Sequence, residues 1–393
     1  MRMRFFPQVV VLVLLFAGTL GAQEASSPTF PKFKRVLSEY NKTMKEAAML
    51  QRKFLSTNTP DEEKEEIGPR LEEIAVTIGE LHPQVMKLAE KAWLEQPNQD
   101  PELLSYVVQV LEIRLMEDDY EAVLKLLKGL LKPPFPDILP DVYDIAGETC
   151  FMMNDFERAE RFYAKAEAAE VLSERGATLR KTIPYHRVAW AREKLIREKE
   201  AKADDLPRVR LKTAKGDIVL ELYENEAPNT VANFVFLVEK GFYDGTEFFS
   251  VIPGLYAQGG RSYDTEDGGP GYKIKDELEE SVHRKHYRGT ISMVRAGKNS
   301  AGSQFFLSFA PNKEMDGEFV VFGRIIEGLD VLVKLQRVDA SHPDPESLPD
   351  TIDTAEVVRS RDHVYRPKVI KPSKAKKATK KAKKGTAYRD TEE

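Results

Sequence analysis

Phe248-Phe-Ser-Val-Ile-Pro-Gly-Leu-Tyr-Ala-Gln-Gly-Gly260 is the stretch on which the fold turns. Aromatic and β-branched residues run through it and glycines close it. Three segments of the same texture follow: Gly289-Thr-Ile-Ser-Met-Val294, Gly302-Ser-Gln-Phe-Phe-Leu307 and Asp316-Gly-Glu-Phe-Val-Val-Phe-Gly323. Short strands with glycine at their ends predict a closed antiparallel barrel. Ahead of them, Val209 to Tyr223 reads as two alternating strands joined by a turn at Lys215-Gly216, a hairpin pattern. Glu226-Ala-Pro-Asn-Thr-Val-Ala-Asn-Phe234 then starts a helix, with Pro228 in its first turn and Val231, Phe234 and Leu237 spaced to face a core.

In this order and spacing, Val209 to Gln336 resembles a cyclophilin-type peptidyl-prolyl cis-trans isomerase. The resemblance implies an eight-stranded barrel closed by two helices, the first from Pro228 and the second near Gly328 to Leu335. It also implies an outer-face site, with a shallow apolar pocket for proline beside a groove for the preceding residues. Phe306 matches the family's pocket-floor Phe, Met315 its Leu, and Leu255 and Tyr256 stand where a Phe and a Met are usual. Gln258 and Gln304 match the two groove glutamines, and Val294 and Ala296 lie on the groove edge. No metal, nucleotide or other cofactor is implied.

Four positions depart from the family pattern. The catalytic Arg is Ser250, the His before it is Phe249, the rim Trp is Glu314, and the second pocket His is Phe319. The chemistry needs a donor there. Partial double-bond character gives the amide a rotation barrier of about 18–20 kcal/mol, and a site lowers it by gripping the ring and donating a hydrogen bond to the prolyl nitrogen as it pyramidalises. A serine hydroxyl does not reproduce a charged, forked guanidinium. Arg295, one step after Val294, and Arg261 are the replacement candidates, with Ser250, Gln258 and Arg295 as the expected catalytic set. Three readings follow: a weakened isomerase, a module that holds Pro-containing segments without turning them, and a barrel kept as a stable body while the helical domain does the work.

Outward from this domain, residues 23–205 read as an all-α unit, so the chain as a whole is multidomain α and β. Its pattern is helical, with prolines such as Pro60, Pro69, Pro83, Pro97 and Pro101 taken as helix boundaries. Tyr143 to Gly147, Asn154-Asp-Phe156, Ala159, Tyr163 and Ala166 have the spacing of a tetratricopeptide unit. Asp118-Asp-Tyr120, Val123 and Leu127 fall at the matching places one repeat earlier. Phe33–Phe54 and Ile67–Trp93 read as further amphipathic helices. The unit resembles a tetratricopeptide-like domain: a docking surface for a protein partner, or a spacer without one. A helix from Arg187, with Trp190 and Leu195 on its apolar side, closes the unit. The charged junction at 203–207 predicts some relative movement of the two domains. The barrel domain is expected over 207–360.

The chain has 393 residues, 41% hydrophobic and 31% charged, with a formal net charge of −5 and one cysteine. That excludes a wholly disordered or polytopic membrane chain and an intrachain disulfide scaffold. Residues 1–22 read as a signal peptide, with a basic start and an apolar run from Val9 to Phe16. They place the protein outside the cytoplasm, periplasmic or secreted. Residues 361–393 read as a disordered Lys-rich tail; from Arg366 onward it carries nine Lys and two Arg against three acids. It offers contact to polyanions, without specific nucleic-acid recognition. The expected partners are proline-containing unfolded or newly exported polypeptides. His283 and His286 read as solvated surface, and Asp264 to Tyr272 as an acidic, Gly-rich surface loop without calcium-loop spacing.

Overall fold

The structure, a computed structural model, describes residues 27–263, 268–279, 283–342 and 344–370. The signal-peptide expectation, residues 264–267 of the acidic, Gly-rich loop and the tail beyond 370 lie outside them. Among the described residues no helix is long and apolar enough to cross a membrane.

The first half is helical. α1 (Phe30–Leu55) and α2 (Asp61–Glu95) pair as a long hairpin, α2 opening on Asp61, Glu62 and Glu63, whose charges favour a helix N-terminus. Pro69 and Pro83 sit inside α2 rather than at its ends, and Pro184 sits inside a later helix. All three are exposed, so water can bond the carbonyls they leave without a donor.

α3 (Pro101–Met116) and α4 (Tyr120–Leu130) are followed by a short turn of helix α5 (Phe135–Ile138), then by α6 (Val142–Met152) and α7 (Phe156–Ala168). The α3–α4 and α6–α7 pairs repeat one another in detail. Asp118 and Asn154 are both left-handed, with φ of 60° and 62°. Asp119 and Asp155 then cap the next helix by accepting from the Ala122 and Arg158 amides. Tyr120 and Phe156, Val123 and Ala159, and Leu127 and Tyr163 are buried at equivalent places. Gly147 lets α6 and α7 approach: a Cβ there would lie 2.5 Å from the Tyr163 ring. Gly147→Ala is expected to destabilise by about 1–3 kcal/mol through overpacking, read as a lower urea midpoint at constant m; an unchanged midpoint would refute it.

α8 (Glu174–Ala203) is one helix of 30 residues, longer than the 187–203 expected, and Leu195 on it is exposed rather than apolar-facing. The second half is a curled antiparallel sheet. Its strands are β1 (Arg208–Thr213), β2 (Gly216–Leu222), β4 (Ser250–Ile252), β5 (Tyr256–Gly259), β7 (Thr290–Met293), β8 (Phe305–Ser308), β9 (Val320–Glu327) and β11 (Thr354–Arg359). They run in the order β11-β1-β2-β9-β7-β8-β5-β4. Two short ladders flank it: β3 (Thr246–Glu247) with β10 (Thr351–Ile352), and β6 (Lys273–Ile274) with β12 (Val369–Ile370).

Among the described residues no ladder joins the edge strands β11 and β4, so the sheet curls without the closure that was expected. On its inner face α9 (Pro228–Glu239) inserts Phe234 between Tyr243, Phe305 and Phe322, at centroid distances of 5.0, 5.6 and 5.2 Å. α10 (Leu329–Lys334) adds Val331 and Leu332. Both helices fall where the resemblance places them. Residues 361–370 are not part of a free tail: β12 pairs with β6, and Tyr365 is buried with its hydroxyl donating to Glu224.

The two halves share a core. Tyr287 and Ala310 of the sheet half pack with Tyr120, Phe151, Phe156 and Tyr163 of the helical half. Tyr287 lies 4.6 Å from the Trp190 ring, and Arg284 is buried against Glu193 and Glu200 of α8. Arg288 reaches Glu121, and Arg337 reaches Asp118. A polar, mobile junction was expected; the halves are joined instead by buried aromatic and ionic contacts.

Candidate active site

Ladder register brings one row of side chains to one face. Ser250 on β4 faces Gln258 on β5, Gln258 faces Phe306 on β8, and Phe306 faces Ser292 on β7. Their chain neighbours Val251, Ala257, Phe305, Leu307, Ile291 and Met293 all belong to the inner core, so the row lies on the outer face. Phe306 is thus not a core side chain, although it is only 4% exposed. Its ring is enclosed by Tyr256 at 5.7 Å, Phe319 edge-on at 5.4 Å and His286 stacked at 5.8 Å.

The groove side is polar. Gln258 donates from Nε2 to Gln304 Oε1 over 3.1 Å, fixing both amides beside the Phe306 floor. Val294 continues the β7–β8 pairing, its amide bonding the Gln304 carbonyl, and leads to Arg295 and the exposed Ala296. On the far rim a single turn of 3₁₀ helix (Lys313–Met315), capped by Asn312, holds Met315 half-buried and Glu314 exposed. Leu255 is exposed on the β4–β5 turn. The structure therefore gathers Tyr256, Gln258, Gln304, Phe306 and Phe319 around one floor, with Ser250 in the same row.

Arg295 does not join them as a free donor. Its Nη1 lies 2.6 Å from Asp276 Oδ2 and its Nη2 3.2 Å from Glu318 Oε2, so both ends of its fork are committed to carboxylates. As a catalytic group it would first have to break those pairs. Ser250 is 7% exposed and too short to extend across the groove.

Three residues that the sequence reading did not assign to the site complete the far wall. His286, read as solvated surface, is fully buried; its backbone amide and Nδ1 both face Asp316 Oδ1, at 2.7 and 2.9 Å. Burial holds its imidazole below the ordinary range, against the pull of Asp316. Tyr185 of α8 donates to the other oxygen of Asp316 over 2.7 Å, so the helical half touches the pocket rim. No local pattern signals this, because Tyr185 and Asp316 meet only in the folded chain. Among the described residues no cluster of His, Cys, Asp or Glu could hold a metal.

Comparison with known proteins covers the sheet half of the chain. Residues 208–357 match the family model for cyclophilin type peptidyl-prolyl cis-trans isomerase/CLD. A peptidyl-prolyl cis-trans isomerase of Helicobacter pylori is 47% identical over 149 residues, which are 37% of this chain and 91% of that protein. Peptidyl-prolyl cis-trans isomerase B of Bacillus subtilis is 46% identical over 122 residues, 31% of this chain and 85% of that protein. A solved Cryptosporidium parvum cyclophilin type peptidyl-prolyl cis-trans isomerase, crystallised in the presence of the dipeptide Ala-Pro, is 30% identical. It aligns with 39% of this chain and 99% of its own, at a TM-score of 0.35. The chain belongs to the family of cyclophilin-type peptidyl-prolyl cis-trans isomerases, and the match begins where the helices end.

Proposed function

We propose that the chain binds X-Pro segments of unfolded or newly exported polypeptides on the outer face of its sheet and accelerates rotation about the prolyl bond. The observation that carries this reading is the enclosed aromatic floor of Phe306 directly beside the Gln258–Gln304 pair. An apolar floor accepts the proline ring, and adjacent amides hold the backbone before it. Uncatalysed isomerisation takes tens to hundreds of seconds, and no covalent step is needed. Desolvating the amide and gripping both sides of it lower the barrier where the twisted state is held better than the planar one. The loss of the usual Arg at Ser250 makes the reaction slower than in a site with that donor.

The test is a protease-coupled or exchange-NMR isomerisation assay on the mature protein. Phe306→Ala is expected to lower kcat/KM at least about tenfold, since a truncated floor forfeits roughly 1.5–3 kcal/mol of ring burial. Ser250→Arg is expected to raise it. Native activity indistinguishable from buffer would overturn the isomerase reading. A second reading, a docking module that holds proline segments without turning them, is favoured by Ser250 itself, and retained peptide binding without turnover would establish it.

The repeated α3–α4 and α6–α7 pairs support a tetratricopeptide-like role for the helical half, presenting client chains to the groove. An exported location and a polyanion-contacting Lys-rich tail complete the proposal, both resting on the sequence.

A further inference from the structure

On the isomerase reading the site lacks the donor that its chemistry calls for, and the structure separates the two guanidinium candidates. Arg295 is held by Asp276 and Glu318. Arg284, Arg288, Arg324 and Arg337 are held in ion pairs of the seam between the halves or beside it. Arg261 differs: among the described residues no carboxylate lies within ion-pair distance of it, and aromatic faces hold it instead. Its guanidinium carbon lies 5.6 Å from the Phe249 ring centroid and 5.5 Å from that of Tyr263. Tyr263 is itself anchored, its hydroxyl donating to Glu247 over 2.8 Å.

The position of Arg261 is set by backbone and by the groove. It follows Gly260, whose φ of +78° turns the chain at the end of β5, and a Cβ on Gly260 would lie 2.6 Å from the Ser303 carbonyl oxygen. Glycine is required there, so the direction taken by Arg261 is built in. Phe249, the ring under its guanidinium, directly precedes Ser250. On the other side, Arg261 Nε and Gln304 Nε2 both lie 3.4 Å from the place a Cβ on Gly268 would take. Arg261 therefore runs along the groove edge between the residue before Ser250 and the amide pair beside Phe306.

We infer that Arg261 is the catalytic donor of this site, its guanidinium swinging from the Phe249–Tyr263 cradle to hydrogen-bond the prolyl nitrogen of a bound X-Pro segment as that nitrogen pyramidalises. Physical chemistry favours it over Arg295. A cation resting on aromatic faces keeps its N–H groups free, and an exposed cation–π contact is worth only about 0.5–1 kcal/mol. Releasing it costs far less than breaking two charge-assisted hydrogen bonds.

The experiment uses exchange NMR on an Ala-Ala-Pro-Phe peptide, giving kcat/KM and peptide Kd for the full mature chain and for Arg261→Ala, Arg261→Lys and Ser250→Arg/Arg261→Ala. Arg261→Ala is expected to lower kcat/KM about tenfold, less than the roughly 10²–10³ that a lost donor costs in a dry site because this one is partly solvated, with Kd and melting temperature unchanged. Arg261→Lys should recover part of the rate, and the double variant, with its guanidinium on the other strand, should recover most of it. Arg261→Ala that turns over like the native chain overturns the inference alone. So does a loss matched by weaker Kd, or one that the double variant does not recover. A native chain without turnover overturns the isomerase reading, and this inference with it.

Discussion

Arg284→Ala is expected to lower the unfolding free energy by about 3–5 kcal/mol, the range for removing one member of a buried ion network. Arg284 Nε and Nη2 donate to the two oxygens of Glu193 over 2.8 and 2.7 Å, and Nη1 donates to Glu200 over 2.5 Å. All three residues are less than a tenth exposed, and the guanidinium lies 3.6 Å from the Tyr223 ring centroid. Burial alone would push the Glu193 carboxyl up; Arg284 and Arg197 nevertheless hold it below the usual range. Truncating Arg284 leaves Glu193 and Glu200 out of water, with Arg197 and Arg324 as their remaining partners, and takes from the partly buried Glu226 the cation 3.7 Å away.

The magnitude is testable against its own control. Replacing Arg284, Glu193 and Glu200 together by apolar residues of similar volume should cost less than Arg284→Ala, because the two buried carboxylates go with the guanidinium; what remains is Arg197 without Glu193 and Glu226 without Arg284, while Arg324 keeps Glu221. Urea unfolding followed by tryptophan fluorescence is suited to this. Trp190 packs on Tyr287 at the seam while Trp93 lies in the core of the helical half, so the two report different places. A loss below about 1 kcal/mol in Arg284→Ala would mean that water reaches the carboxylates, and that the aromatic contacts alone hold the halves together.

That network shows where a sequence stops being informative. The strands and α9 are legible because alternation and 3.6-residue spacing are local, and Val231, Phe234 and Leu237 face the core as their spacing requires. The 36-residue repetition is legible for the same reason, since capping by Asp119 and Asp155 involves residues three apart. Arg284 and Glu193 are 91 positions apart, and His283-Arg-Lys-His286 taken by itself has the look of a solvated charged run. Only tertiary contact buries two of its four residues. The prolines mislead in the opposite sense. Proline is a reliable boundary mark only when the helix face it occupies is covered, and Pro69, Pro83 and Pro184 occupy open faces.

The site divides along the same line. Phe306, Gln258 and Gln304 are legible through the family resemblance, and adjacent strands bring Gln258 opposite Phe306 on one face. Whether a given arginine serves the pocket depends on what its far end meets. Arg295 sits beside the groove in sequence and is withdrawn from it by Asp276, a residue from another loop. The wall made by His286, Asp316 and Tyr185 rests on a contact across the two halves.

The same contact predicts acid sensitivity: between pH 7.5 and pH 5 the chain should lose about 2 kcal/mol of stability through His186. His186 lies on α8 next to Tyr185, 2% exposed, stacked on Phe156 at 5.1 Å and edge-on to Phe151 at 5.2 Å. Burial lowers its imidazole to about 4; Asp316 opposes this and Lys313 adds to it. In the unfolded chain the ring titrates near the ordinary value of about 6.5. The folded value is the lower one, so the unfolded state takes up the proton first. Stability is then flat above that ordinary value and falls as the pH drops from it towards the folded one. His186→Phe keeps the stack and removes the proton site, so its stability difference between pH 7.5 and pH 5 should be smaller than the native one by that same 2 kcal/mol. The buried His286 continues to contribute in both proteins. Equal differences in the two would place the acid response elsewhere. A difference that shrinks as expected would locate it where α8 meets the Lys313–Asp316 rim, so that acid loosens the helical half first at the edge of the candidate site.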